Sequence, residues 1–503
     1  MKLWKKGSAA LLSAVLGITS LGFSGWQTAK AEVYEGEGYQ LSYEIVDNSV
    51  TITGFDGEVT EVEIPAEIDS LPVTTIGEYA FYYPYNLTSV TIPDSVTTIG
   101  KYAFSGCENL TTISIPDSVT TIGDWAFEYC ESLTNITIPD SVIWIGHDTF
   151  YCCENLTSIN VEEENTEYSS LDGVLFNRDQ TKLIIYPCGR TGSYEIPNSV
   201  TTIGDNAFAY CENLTALTIP DSVTWIDSTA FFRCINLISI NVEEGNTEYS
   251  SLDGVLFNRD QTDLIACPCG RTGLYEIPNS VTTITMDAFY GCDSLTTITI
   301  PDSVLWIGGF AFADCDNLTT ATIPDGVTAI ENYTFYHCGN LTTITIPDSV
   351  TTIGSYAFMR TYLAAVTIPD NVSTIGEAAF CDCDNLTTIT IPDSVTAIGD
   401  DAFYDCDHLT DVYYSGTQEQ WTKLGVDAGS ATVHCVDGTA VPIATPTQTV
   451  PVATPPTAQS TTTTATENPP IDDIIYGDVN TDGRVELVDA ILLSKYLSLI
   501  HIS

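Results

Sequence analysis

Basic side chains are scarce in this sequence. Its 503 residues set 15 Lys and Arg against 67 Asp and Glu, a formal net charge of −52. A surface so acidic repels phosphate backbones and anionic lipid, which argues against nucleic-acid and membrane-surface partners. Histidines are few as well, and His147, His337, His408, His434 and His501 lie scattered. No Ser-His-Asp order, HExxH, phosphate-binding loop or dinucleotide fingerprint stands out. Among so many acids no carboxylate pair can be singled out for glycoside hydrolysis. No enzyme is expected. Beyond residue 31, no stretch approaches the roughly 20 apolar residues of a membrane span. What is present is 44% hydrophobic and 16% charged residues, a balance that should fold around a core. Length alone suggests about three domains, but an internal repeat overrides that figure.

Residues 1–31 carry four lysines and no Asp or Glu. Lys2, Lys5 and Lys6 precede an apolar stretch from Ala9 to Phe23, and Ala29-Lys30-Ala31 is a small-x-small cleavage site. This is the layout of an export signal, with a mature chain starting at Glu32 and secreted. The rival reading, an uncleaved anchor helix, fits less well with the glycines, serines and short apolar run. Without the signal, 11 basic residues face 67 acidic ones.

From residue 63 to 412 the chain repeats with a 23-residue period, as in IPDSVTTIGDWAFEYCESLTNIT from Ile115 to Thr137. One phenylalanine recurs twelve times: Phe81, Phe104, Phe127, Phe150, Phe208, Phe231, Phe289, Phe312, Phe335, Phe358, Phe380 and Phe403. A fixed period of this size marks a solenoid, because a short unit cannot bury its apolar face alone. The run L-T-x-I-x-I alternates apolar and polar, as at Leu110, Ile113 and Ile115, and reads as a short strand. Pro116 ends it, and Asp117-Ser118 form a turn. Val119, Ile122, Ala126 and Phe127 then point inward along a short helical or irregular return. Stacked coils place the strands in a parallel sheet about 5 Å apart.

This pattern resembles the BspA-type leucine-rich repeats of bacterial surface and secreted proteins. The resemblance implies an α/β solenoid with its parallel sheet on one face. Two intervals are lengthened to 58 residues by matching insertions, about 160–192 and 241–273. Each contains YSSLDGVLFNRDQT and CGRTG, and Asn177-Arg178-Asp179 and Asn258-Arg259-Asp260 sit between apolar runs as hairpin turns. Residues 32–62 read as a hairpin-like N-terminal cap and 413–438 as a C-terminal cap.

Ten of the 16 cysteines follow the phenylalanine by three residues, from Cys107 to Cys406; Pro84 and Thr361 replace the cysteine in two units. A buried ladder of small apolar side chains explains them best. Cys267 and Cys269 form a CPC triplet, with Cys188 equivalent to Cys269, yet no partner cluster has zinc-type spacing. The IPDSV turn places one aspartate per coil: Asp94, Asp117, Asp140, Asp221, Asp302, Asp325, Asp348 and Asp393, with Asp370 in a variant turn. Turn duty is favoured over a weak cation column. Trp144, Trp225 and Trp306, spaced by 81, would be sugar-stacking platforms if exposed, although duplication alone explains the spacing. Outward strand positions such as Thr112, Ser114, Thr297 and Thr299 form a hydroxyl-rich face suited to a partner.

Residues 439–470 are a Pro/Thr-rich tract, read as an extended linker with threonines open to O-glycans. GDVNTDGRVELVDAILLSKYL follows. Asp478, Asn480, Asp482, Gly483, Glu486 and Asp489 hold positions 1, 3, 5, 6, 9 and 12 of a Ca2+ loop, and Arg484 offers its carbonyl. Ala490 to Leu497 reads as a helix. Residues 471–497 look like one repeat of a type I dockerin, which implies a cohesin partner on a cellulosome-type scaffold and association with polysaccharide catabolism. By that resemblance Leu487, Val488, Ser494 and Lys495 contact cohesin. Dockerins carry two such repeats and this chain shows one. Position 12 is Asp where EF-hands have Glu, and the final LSLIHIS resembles a translated transposon adapter, so 498–503 are expected to be non-native. The expected function is a secreted, non-catalytic binding protein attached through Ca2+-dependent docking, its solenoid facing an unknown protein or polysaccharide. A free adhesin and an inhibitor of co-docked enzymes are the alternatives.

Overall fold

The computed structural model describes residues 32–440. Across them the chain winds into a parallel β-solenoid of stacked coils. Each regular coil carries two strands. The first comes from the alternating run: Ser89–Thr91 pairs in parallel with Thr112–Ser114, Val90 opposite Ile113. The second is a two-residue β-branched step just before the glycine. Thr98–Ile99, Thr121–Ile122 and Trp144–Ile145 pair in parallel, with their isoleucines in register. Only the first of these ladders is readable in the sequence. Two residues are too short to show a period, although Thr-Ile is a strand-favouring pair.

The return path, open in the sequence between helix and irregular chain, is built from turns, and Gln418–Leu424 is the single α-helix among the described residues. Its backbone makes a third ladder. The N–H groups of Tyr102, Phe104 and Gly106 donate to the carbonyls of Asp124, Ala126 and Glu128 in the next coil, at 3.0, 2.8 and 2.8 Å. Pointing alternate N–H groups the same way requires left-handed residues on both sides of the phenylalanine. Tyr102 (φ 53°) and Gly106 (φ 71°) take this conformation, as do their counterparts along the array, such as Tyr333 (φ 59°) and His337 (φ 55°). An L side chain there costs roughly 1–2 kcal/mol, which the otherwise orphaned buried carbonyls offset.

Inside the coils the phenylalanines stack. Ring centroids from Phe81 through Phe104 and Phe127 to Phe150 are 5.1, 5.4 and 5.6 Å apart. All twelve rings are buried. Polar repeat positions serve the same stacking. The turn serine donates one coil back, as Ser118 Oγ does to the Val96 carbonyl at 2.6 Å, and Asn155 Nδ2 reaches the Glu131 carbonyl at 2.9 Å. Glycine after the second strand reflects close approach: a Cβ on Gly376 would lie 2.3 Å from the Ser355 amide nitrogen.

Each insertion is an antiparallel meander. Tyr168–Leu171, Val174–Asn177 and Lys182–Ile185 make the first, and Lys182–Ile185 then joins Thr202–Ile203 in parallel. Asp172 and Gly173 are both left-handed (φ 49° and 78°), the geometry of a tight two-residue hairpin turn. The central strand has buried residues on both faces: Leu175 packs with the N-terminal core, while Val174 and Phe176 join the middle one. Val255, Leu256 and Phe257 repeat this at the second insertion. The apolar core is therefore three blocks, with seams at the insertions.

Both ends are covered. Glu32–Glu35, Tyr39–Val46 and Ser49–Gly57 form an antiparallel N-terminal meander. At the other end Gln418–Leu424, capped by Thr417 and Gln420, buries Trp421, beside the hairpin Thr432–Cys435 and Gly438–Ala440. No described helix is long and apolar enough to cross a membrane.

The left-handed position is testable at Asp405, which is exposed with φ 53°. Both Asp405→Gly and Asp405→Ala remove the charge, but only glycine relieves the backbone. In urea unfolding the glycine variant should be more stable than the alanine variant by about 1 kcal/mol.

Candidate functional site

The strand face is the broadest candidate surface. Thr112 and Ser114, Thr320 and Thr322, and Thr343 and Thr345 are exposed on either side of inward residues. A groove of about 870 Å³ lies over the first coils, with Thr91, Ser114, Asp94 and Asp117 in its lining. The aspartates sit in the turns. Val96 N–H bonds to the Pro93 carbonyl at 3.0 Å, closing a turn around Asp94 and Ser95. Among the described residues no group of three His, Cys, Asp or Glu side chains is arranged to hold a metal.

All sixteen cysteines are thiols rather than disulfides. The ladder thiols donate to carbonyls of the preceding coil, as Cys130 Sγ does to Phe104 at 3.3 Å and Cys338 Sγ to Phe312 at 3.0 Å. Cys267 and Cys269 of the triplet are buried too. Burial pushes the thiols of Cys130, Cys153, Cys234 and Cys315 far above their ordinary range, so they stay protonated and inert.

The three tryptophans are exposed, Trp144 by 53%, Trp225 by 61% and Trp306 by 41%. Trp144 and Trp225 each stand at a seam. There the strand ladder breaks, and a meander tyrosine supplies the missing acceptor: Ile145 N–H donates to Tyr168 Oη at 2.9 Å, and Ile226 N–H to Tyr249 Oη at 3.0 Å. Beside Trp144 the insertion coil is short. Leu183 aligns with Ile203, yet Tyr186 takes the ring position after three residues where Phe208 needs five. The missing turn leaves a notch of about 210 Å³. Side chains 23 and 58 residues apart in the sequence meet there. His147 Nδ1 lies 2.9 Å from Asp205 Oδ2, Lys182 Nζ lies 3.8 Å from Asp205 Oδ1, and Asn206 Nδ2 donates to Asp148 at 2.9 Å.

Although the histidines are scattered in sequence, three of the four in the described residues pair with an aspartate of another coil. His337 lies 2.8 Å from Asp314, and His434 lies 2.6 Å from Asp411. Only superposing the coils reveals these partners. The proposed Ca2+ ligands Asp478, Asn480, Asp482, Arg484, Glu486 and Asp489 lie outside the described residues. So do the proposed cohesin contacts Leu487, Val488, Ser494 and Lys495.

Several carboxyls are displaced upward by burial. Glu128, hydrogen-bonded by Ser105 at 2.9 Å, is pushed up to about 7. Burial and the nearby Asp227 carry Asp287 to about 7, and burial carries Asp293 to about 6. Hydrogen bonds to aspartate raise His147 and His337. Burial alone would raise Asp205 and Asp314, yet their histidine partners hold both below the usual range.

Raised groups make the folded state bind more protons than the unfolded one, so stability falls as pH rises. The acids act from about pH 4.5 to 7 and the histidines above about 6.5. Lowered Asp205 and Asp314 reverse the slope below about pH 4. Thermal melts should therefore peak near pH 4 and decline to pH 8, and Glu128→Gln should raise stability at pH 8 by roughly 1–3 kcal/mol. A second check is thiol titration with Ellman's reagent. In the native protein only the half-buried Cys406 and Cys435 are within reach, and the other 14 thiols should react on unfolding.

Comparison with known proteins agrees with this architecture. The family described as BspA type leucine rich repeat region matches residues 74–187, 182–261, 269–374 and 351–425. Similar solved structures include a leucine rich cell surface protein from Faecalibacterium prausnitzii, 29% identical, covering 80% of this chain and 100% of that one, with a TM-score of 0.45. The pneumococcal vaccine antigen PcpA is 21% identical, with coverage of 81% and 94% and a TM-score of 0.39. A leucine-rich repeat protein from Eubacterium ventriosum is 23% identical, with coverage of 66% and 95% and a TM-score of 0.40. No curated protein matches the sequence. With the family's repeats running through most of the coils, the chain belongs to the BspA-type leucine-rich-repeat proteins.

Proposed function

We propose that this chain is an exported, non-catalytic binding protein whose solenoid presents a ligand face while its C-terminal calcium module docks onto a cohesin of a polysaccharide-degrading complex. The observation that carries the binding reading is the in-register strand face. Its hydroxyls stand in rows on a backbone held coil to coil by hydrogen bonds, so a partner meets a preorganised surface and little ordering entropy is lost on binding. The fold uses its other repeating polar groups to hold itself together, as Ser118, Asn155 and Cys130 do.

Support for docking comes from the loop Asp478 to Asp489, whose hard oxygen donors are spaced to wrap one Ca2+. In the sequence a Pro/Thr-rich tract lies between the module and the solenoid's last strand, Gly438–Ala440.

A pull-down of the full chain on immobilised type I cohesin tests the attachment. Capture is expected in Ca2+, with loss in excess EDTA and loss in the Asp478→Ala, Asp482→Ala double variant. Capture that ignores both chelation and the double variant overturns calcium-dependent docking, as does no capture in Ca2+.

A further inference from the structure

The array contains its own control for the notch beside Trp144. The segment Asn165 to Thr181 is identical to Asn246 to Thr262, so the two meanders are copies. The residues lining the notch are not. Ten of the sixteen differ from their counterparts 81 positions on. Trp144, Ile145 and Tyr168 persist as Trp225, Ile226 and Tyr249. The polar set changes: His147, Asp148, Lys182, Asp205 and Asn206 become Ser228, Thr229, Asp263, Met286 and Asp287. Both seams need the tyrosine plug and have it. The cross-notch pairs are therefore not what the seam requires in order to form.

We propose that the notch formed by Trp144, His147, Tyr168, Lys182, Asp205 and Asn206 is a binding site for a neutral oligosaccharide. The indole of Trp144 gives an exposed flat apolar face at the notch. Its edge is lined by groups with hydrogen-bonding capacity to spare. Lys182 keeps donors beyond its contact with Asp205, Asp205 has lone pairs beyond those used by His147, and the Asn206 amide has a second N–H. Charge is compensated locally, since Asp205 lies between His147 and Lys182. The other carboxyl of the notch, Asp148, accepts a hydrogen bond from the neutral Asn206 amide, so with a net charge of −52 around it the site does not select an anion. A polyhydroxylated ring with an apolar face and a hydroxyl edge matches both halves. The 210 Å³ volume suits one or two sugar rings at a chain end or along an open strand.

This deepens the binding reading above and rests on it only in assigning the solenoid a ligand; the calcium module plays no part. The test uses the full chain, titrated by calorimetry and tryptophan fluorescence with cellohexaose, xylohexaose and mannohexaose. At least one should bind. Trp144→Ala should weaken it by about tenfold or more, which is about 1.4 kcal/mol. Asp205→Asn, which keeps the shape, should weaken it by several-fold. Trp225→Ala, at the copy without the polar set, should leave it unchanged, and melting curves should show all three variants folded. No binding by any of the three sugars overturns the proposal, as does equal binding by Trp144→Ala or equal loss in Trp225→Ala. Retained cohesin capture alongside absent sugar binding would sink the notch alone and leave the docking reading standing.

Discussion

The distance from one coil to the next governs the whole molecule. Three backbone ladders, at the alternating strand, the Thr-Ile step and the left-handed turn, all span that spacing, and each leaves little room for adjustment. The residues that recur every 23 positions are those the spacing selects. Phenylalanine rings stack at 5.1–5.6 Å along the first four coils. Glycine appears where a Cβ would strike the neighbouring backbone, and serine, asparagine and cysteine appear where a carbonyl of the previous coil needs a donor. Because each coil touches only its neighbours, stability accumulates by nearest-neighbour terms and no residue far along the chain can compensate for a lost rung.

The insertions show what happens when the period is interrupted. A 58-residue interval cannot be absorbed by one coil, so the extra chain folds into a meander whose third strand re-enters the short-strand ladder. The central strand lies between two cores and needs apolar residues on both faces, hence the uninterrupted Val174-Leu175-Phe176. The ladder is broken at the seam, and Tyr168 satisfies the amide left without a carbonyl. The shortened coil also omits one outward turn, and an omitted turn between two stacked coils is a notch.

The coil order, the twelve buried rings and the cysteine ladder were legible in the sequence because each repeats at one fixed spacing, which marks a common environment without showing what it is. The second strand was not legible, since Thr121-Ile122 has no period of its own and its pairing is entirely between coils. The left-handed positions were hidden for a different reason. Tyr102, Asp148, Arg233 and Ala378 share that conformation and no side-chain chemistry, so the backbone ladder imposes it against residue preference. The notch was invisible because His147 and Asp205 are 58 residues apart and meet only after the insertion has shortened the coil between them.

A repeat array that commits its donors to internal rungs has limited freedom to evolve recognition. A change at a ladder position breaks a bond to the neighbouring coil, while a change on the strand face alters one hydroxyl in a row of similar ones. Only a break in the period frees several side chains from ladder duty at once and lets them converge on shared space. The two seams began as copies and kept the residues that close the structure, Tyr168 and Tyr249 among them. Around the first, the freed positions hold a histidine and a lysine on Asp205 and an amide donating to Asp148. Around the second, the carboxyl of Asp287 is buried near that of Asp227 and is driven toward its neutral form. The same geometric fault thus yields one site where basic and amide groups partner the carboxylates and one where two carboxyls face each other, and that difference lies in the substituted residues rather than in the fold.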